Sequence, residues 1–209
     1  MFLIYLSVSL AAFIAGAVPT SYLAGRLLQG IDLREHGSGN LGATNVFRVM
    51  GTVPAMLVLS VDILKGFATV FWLPSTVQIS STVLLQCVLG ISAVAGHIYS
   101  PFVGFRGGKG VATVAGVMLA ISPAAVGICV LVWAALFAVF RIVSVASLAA
   151  VLTLPPAIFL TMDTSSPGFP VFQAFGVLVA CGVLITHRSN IGRLIRGEEK
   201  RLSRGGGSR

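Results

Sequence analysis

Apolar residues fill most of this chain in long runs, and the polar residues gather in a few short islands between them. Runs of roughly 20 apolar residues cross a bilayer as helices. Seven such stretches are read near Phe2–Gly25, Thr52–Leu73, Ile79–Ala95, Val111–Ile121, Ala124–Phe140, Ile142–Met162 and Phe169–Thr186. The fourth is short, and Ser122-Pro123 divides the region between Lys109 and Arg141, so it forms either a thin crossing or one arm of a re-entrant hairpin. The pattern predicts an all-α integral membrane protein with seven transmembrane helices, the fourth short or re-entrant. It forms one polytopic domain over residues 1–201, and residues 202–209 read as a flexible Gly/Ser/Arg tail of a kind that fusion scars also show.

Composition and charge sharpen this picture. Of 209 residues, 56% are hydrophobic and only 10% charged, a balance that a water-soluble domain could not hide in its core. Thirteen of the fourteen Lys and Arg residues lie in four segments: Arg26 to Arg48, Arg106 with Lys109, Arg141, and Arg188 to the C-terminus. Placing those segments in the cytosol leaves only Lys65 inside a span, so the positive-inside bias puts the N-terminus outside and the C-terminus in the cytosol. No basic segment precedes the first run as a cleavable signal peptide requires. The net charge of +8 then reflects topology and acidic headgroups and calls for no nucleic-acid partner. Cys87, Cys129 and Cys181 stand singly in apolar runs as packing residues, and no cluster with ligand spacing points to a metal or cofactor.

Candidate chemistry lies in the islands. Gly104-Phe105-Arg106-Gly107-Gly108-Lys109-Gly110 is a glycine-rich, doubly basic loop. Its glycines allow successive N–H groups to face one anion, and the run from Val111 offers a helix N-terminus to the same ligand. The competing reading is a glycine turn with two topological anchors. Upstream, His97 and Ser100 are ligand candidates, and Thr113 follows one turn into the next run. A Walker loop is excluded, because Gly110 stands where Ser or Thr must follow the Lys and no strand precedes. The first island runs from Arg34 to Arg48, with Ser38, Asn40, Thr44 and Asn45 as neutral donors and acceptors and Arg48 as a planar fork for phosphate. An ordinary Asx/Gly turn cluster accounts for much of it too. In the third island, His187 and Asn190 share a helical face. Within the spans, Asp62 and Lys65 stand at i,i+3 and must face the interior, most simply as a mutually neutralising structural pair, while Ser147 is a small packing residue that could line a site.

Together the islands resemble the bacterial membrane acyl-phosphate:glycerol-3-phosphate acyltransferase family. The resemblance is carried by Gly37-Ser38-Gly39-Asn40-Leu41-Gly42-Ala43-Thr44-Asn45-Val46-Phe47-Arg48, by Gly96-His97 with Phe105 to Thr113, and by His187 to Leu194 with Gly197 and Glu199. It implies acyl transfer from acyl phosphate to the 1-hydroxyl of glycerol 3-phosphate, giving lysophosphatidic acid and phosphate for phospholipid synthesis. It implies a bacterial cytoplasmic (inner) membrane location, a cytosolic site, and no metal, cofactor or obligate protein partner. By the same resemblance Ser38 and Arg48 are essential, Arg106 to Gly110 bind glycerol phosphate, His187 and Asn190 serve activity, and Glu199 serves structural integrity. The proton of the attacking hydroxyl goes either to His187, oriented by Asn190, or to the substrate phosphate, and Ser38 reads as a hydrogen-bond donor. A His/Asp acyltransferase motif with four residues between is absent, since Leu41, Phe102 and Gly192 occupy the positions five beyond the histidines. The alternative class is a phosphate or phospholipid transporter, which the short helix and intramembrane ion pair would suit.

Overall fold

A computed structural model describes residues 2–77 and 82–202. Among them every regular element is helical, as the apolar runs require: only hydrogen bonds closed within a segment satisfy the backbone in hydrocarbon. The order is α1 (Phe2–Ala17), α2 (Thr20–Gln29), α3 (Ala43–Met50), α4 (Thr52–Phe71), α5 (Thr82–Ile98), α6 (Val111–Ile121), α7 (Pro123–Phe140), α8 (Val143–Thr161), α9 (Phe169–Thr186) and α10 (Arg188–Ile195). Short 3₁₀ turns follow α4 at Leu73–Thr76 and α5 at Pro101–Val103. Six stretches are long and apolar enough to cross a membrane, with α1 and α2 counted as one. The expected start of the third span at Ile79 and the cytosolic tail beyond Leu202 lie outside the described residues.

One expectation is corrected. The first apolar run is not a single helix: it breaks at Val18-Pro19, because Pro19 has no N–H and its ring opposes the carbonyl one turn back. The carbonyls at the break take side-chain donors from far along the chain. Ala17 O accepts from Ser100 Oγ at 2.6 Å and Val18 O from Lys65 Nζ at 3.0 Å.

Small residues set the closest contacts. Gly66 and Gly116 let α4 and α6 approach until each glycine lies against the other's backbone, and Gly16 and Gly96 do the same for α1 and α5. Leu85, Leu89, Val117, Met118, Ile158 and Phe175 form the centre of the apolar core. By contrast α7 buries only Ala125 and Val126, and its remaining apolar surface is what a lipid-facing helix presents. At about 1.5 Å per residue, α6 is about 16 Å long and continues through Ser122 directly into α7.

Candidate active site

The basic segments meet at one end of the bundle. Arg141 Nε donates to Leu202 O at 3.2 Å, Leu202 N–H returns a bond to Arg141 O at 2.8 Å, and Arg34 Nη1 reaches Val103 O at 3.4 Å. Lys109 Nζ donates to Asn190 Oδ1 and Arg48 Nη2 reaches Lys200 O at 3.5 Å, which draws all three islands together.

The glycine loop is built on the end of α5. Gly104 (φ 68°) and Phe105 (φ 61°) are left-handed and reverse the chain. Phe105 N–H then donates to Ser100 O at 2.8 Å, Gly107 N–H to Ile98 O at 2.9 Å and Gly108 N–H to His97 O at 3.1 Å. The expectation that these glycines aim successive N–H groups at an anion is therefore revised, because the amides of Gly107 and Gly108 satisfy α5 carbonyls. Both glycines permit close approach instead. A side chain at 107 would run into the His97 carbonyl, and one at 108 into Leu41 O and the His97 imidazole. Among the described residues, free donors begin directly after them, at the amides of Lys109 and Gly110. Gly110 (φ 85°) turns the chain into α6, and the amides of Val111, Ala112 and Thr113 have no acceptor within the helix. The Thr113 hydroxyl is fully buried and has no partner among the described residues.

Lys109 stands between those amides and the third island. Its carbonyl accepts from the Thr186 hydroxyl at 3.1 Å. Desolvation lowers its ammonium pKa to about 8, with Arg193 and Arg48 pushing the same way against Glu199. His187 joins α9 to α10 and is 3% exposed. Its Nδ1 lies 2.9 Å from Val183 O, and since a carbonyl only accepts, the proton sits on Nδ1 and a lone pair on Nε2. Burial, aided by the charge on Lys109, pushes its pKa down to about 4.

Asn190 is clamped on both sides. While its oxygen takes Lys109, its Nδ2 donates to Glu199 Oε1 at 2.5 Å. Glu199 also accepts from Ser144 Oγ at 2.8 Å and Arg193 Nε at 2.6 Å. Burial alone would raise that carboxyl's pKa, but Arg193, Asn190 and Ser144 hold it below the ordinary range. The sequence offered Ser144 only as a small packing residue and Arg193 only as a member of the third island. Ser144 precedes its partner by 55 positions, and only its placement one turn before Ser147 on the same helix hinted at it.

The first loop rests on Asn45. This buried amide accepts from Ser38 N–H at 2.7 Å and donates to Leu33 O at 3.1 Å and His36 O at 3.0 Å, so it builds the loop and has no donor left for a ligand. Ser38 is exposed, and no hydrogen bond joins it to Lys109, His187 or Asn190 among the described residues. Asn40 and Thr44 are partly buried beside it, and Arg106 is exposed.

Three other candidates sit away from this centre. Ser147 accepts from Trp133 Nε1 at 3.2 Å between α7 and α8. Ser100 uses its hydroxyl on the α1–α2 break. His97 is buried with Nδ1 3.7 Å from Asp62 Oδ1, and Asp62 in turn pairs with Lys65 at 2.9 Å and accepts from Thr20 Oγ1, as the expected neutralised pair.

A family model described as glycerol-3-phosphate acyltransferase matches residues 6–197. A glycerol-3-phosphate acyltransferase of Trichlorobacter lovleyi is 41% identical, covering 91% of this chain and 94% of its own. One of Pelodictyon phaeoclathratiforme is 36% identical, covering 96% and 97%. Two crystal structures of PlsY (YgiH), an integral membrane glycerol 3-phosphate acyltransferase, one in a glycerol 3-phosphate form and one in a lysophosphatidic acid form, superpose with TM-scores of 0.81 at 35% identity. The glycerol 3-phosphate form covers 95% of this chain and 96% of its own. With an all-helical, multi-pass architecture and its polar islands gathered at one end, this chain belongs to the glycerol-3-phosphate acyltransferase family of integral membrane enzymes.

Proposed function

We propose that the protein transfers a fatty acyl group from acyl phosphate to the 1-hydroxyl of glycerol 3-phosphate, releasing lysophosphatidic acid and phosphate. The observation that carries this reading is the convergence of Lys109, Arg48, Arg193 and the α6 N-terminus on the buried His187–Asn190 pair. Two phosphorylated substrates need such a cluster of cations and amides, and an acyl chain needs it at the edge of a bilayer. In the reaction the glycerol 1-oxygen attacks the acyl carbonyl, the tetrahedral oxyanion collapses, and the carbonyl-to-phosphate oxygen bond breaks. Lys109 and the first α6 amides hold phosphate, while Arg48 and Arg106 add charge from the rim. Ser38 presents a hydroxyl donor from the first loop, with Asn40 and Thr44 beside it, and Asn190 fixes Lys109.

The hydroxyl proton goes to the departing phosphate. An imidazole with a pKa near 4 is a weak base, whereas phosphate has its second pKa at about 6. His187 then contributes its Nε2 as an acceptor for the neighbouring 2-hydroxyl of glycerol 3-phosphate, which orients the substrate and leaves the 1-hydroxyl proton to the phosphate.

The same reading makes the chain one polytopic domain with seven crossings. Support for the count comes from α6 and α7: Lys109 and Arg141 share one end of the bundle, while Ser122 Oγ lies 3.4 Å from Thr161 Oγ1 at the far end of α8. The short α6 thus carries the chain across and α7 returns it. The basic end faces the cytosol of a bacterial inner membrane, with the N-terminus outside. A cysteine placed at Ser165 should react with impermeant reagents in intact cells, and one at Arg196 should not; the opposite pattern would invert the orientation.

The enzymatic test is acylation of glycerol 3-phosphate by purified protein in the presence of a chelator. Palmitoyl phosphate should serve as donor and palmitoyl-CoA should not. Equal rates with the thioester, or dependence on added metal, would overturn the donor assignment.

A further inference from the structure

Asp62, Lys65 and His97 are buried and ionisable, yet none belongs to the cluster that holds phosphate. Their position explains them. Asp62 is 2% exposed on α4 and gathers three groups: Lys65 Nζ at 2.9 Å, the Thr20 hydroxyl and the His97 ring at 3.7 Å. Lys65 reaches on to Val18 O at the break between α1 and α2. His97 therefore presents Nδ1 to Asp62 and, on the opposite edge of the ring, Nε2 to Gly108, so closely that no side chain fits at that position. The His97 carbonyl meanwhile accepts from Gly108 N–H at 3.1 Å. Residue 109 follows directly, with its ammonium on Asn190.

Accepting the phosphate-binding role proposed above, we infer that Asp62 and His97 are positioning residues for the glycine loop. The ion pair fixes the imidazole, the imidazole fixes Gly108, and Gly108 fixes where the Lys109 ammonium points. This assigns the intramembrane pair a task beyond mutual neutralisation and makes His97 a support beneath the loop, not a ligand. The arrangement also explains why two polar helix positions face the α1–α2 break: the break supplies the carbonyl and hydroxyl that hold Lys65 and Asp62 in place.

The test combines kinetics with a readout that needs no turnover. In detergent-purified full-length protein, Asp62→Asn combined with Lys65→Met removes both charges without leaving one unpaired, and His97→Gln removes the ring. Acetic anhydride labelling of Lys109, followed by mass spectrometry, should increase severalfold in either variant. The KM for glycerol 3-phosphate should rise by about an order of magnitude, with the KM for acyl phosphate and the thermal midpoint little changed. Combining all three substitutions should be no worse than the more impaired parent, because they act along one line. Unchanged Lys109 labelling in a folded variant, or effects that multiply, would overturn the proposal. If the charge-removal variant does not fold, His97→Gln alone decides it by the same labelling. Should labelling shift while wild-type protein acylates no glycerol 3-phosphate with any donor, the functional reading fails and the support beneath the loop stands.

Discussion

Two glycine-rich loops face each other across this site, and they are held by opposite means. The loop before α3 is held by buried side chains: Asn45 ties Ser38, Leu33 and His36 together with three hydrogen bonds, and Asp32 accepts from the Arg34 N–H and pairs with Arg26 and Arg34. The loop before α6 is held by backbone, its amides closing onto the carbonyls at the end of α5. In the first, the sensitive residues should be the Asn45 amide and Gly37, which is left-handed and where a side chain would run into that amide. In the second, the sensitive residues should be glycines, because the space above them is already occupied. The lesson is that glycine density in a loop says little about what its amides do.

The contrast breaks most readily at Gly108. Gly108→Ala places a methyl group against Leu41 O and the His97 ring, and kcat/KM should fall by about a thousandfold, the scale of roughly 4 kcal/mol. Gly104→Ala should lose severalfold at most, since the site is open and only a left-handed penalty of about 1 kcal/mol applies. Similar rates for the two would mean that close approach does not govern the second loop.

Next in size is Asn45→Ala, which leaves three backbone groups without their partner. It should lower unfolding stability by about 3 kcal/mol, read as a drop in the thermal midpoint. Activity lost in proportion to folded protein, with KM unchanged, identifies Asn45 as a builder; a raised KM in fully folded protein would make it a ligand.

Lys109→Ala should raise the KM for glycerol 3-phosphate and lower kcat/KM about ten- to a hundredfold, the loss of one charge-assisted contact of roughly 1.5–3 kcal/mol. Wild-type kinetics in a folded variant would reduce the second loop to a topological anchor.

The smallest effects lie in the pH profile. Lys109 must keep its proton to hold phosphate, so kcat/KM should fall as pH rises through about 8. In Lys109→Arg that basic limb should disappear, since a guanidinium stays protonated. His187, depressed to about 4, is already neutral above that pH. Any acidic limb near pH 6 therefore belongs to substrate phosphate and should survive in His187→Ala. Its loss there would make the imidazole the base.

The helical membrane architecture and the three islands were legible in the hydropathy pattern, because backbone satisfaction in lipid leaves little choice. The break at Pro19 was not. Pro19-Thr20-Ser21 interrupts the apolar run, but the donors that make a break tolerable there, Lys65 of α4 and Ser100 just beyond α5, come from far along the chain. Lys109, His187, Asn190 and Glu199 were each visible as motif residues, and the structure joins them. The roles of Gly107 and Gly108 were misread because spacing reveals conformational freedom but not which atoms fill the space above a glycine. Asn45 and Ser38 look alike as small polar loop residues, and only burial separates them.

The central claim is that the cluster around Lys109, His187 and Asn190 aligns glycerol 3-phosphate against an activated acyl phosphate. Its most direct measurement is phosphate release from palmitoyl phosphate by the purified protein, with and without glycerol 3-phosphate. The account predicts release only when the alcohol is present, matched mole for mole by lysophosphatidic acid. Release at the same rate without it, or release with no acylated glycerol phosphate formed, would contradict the account.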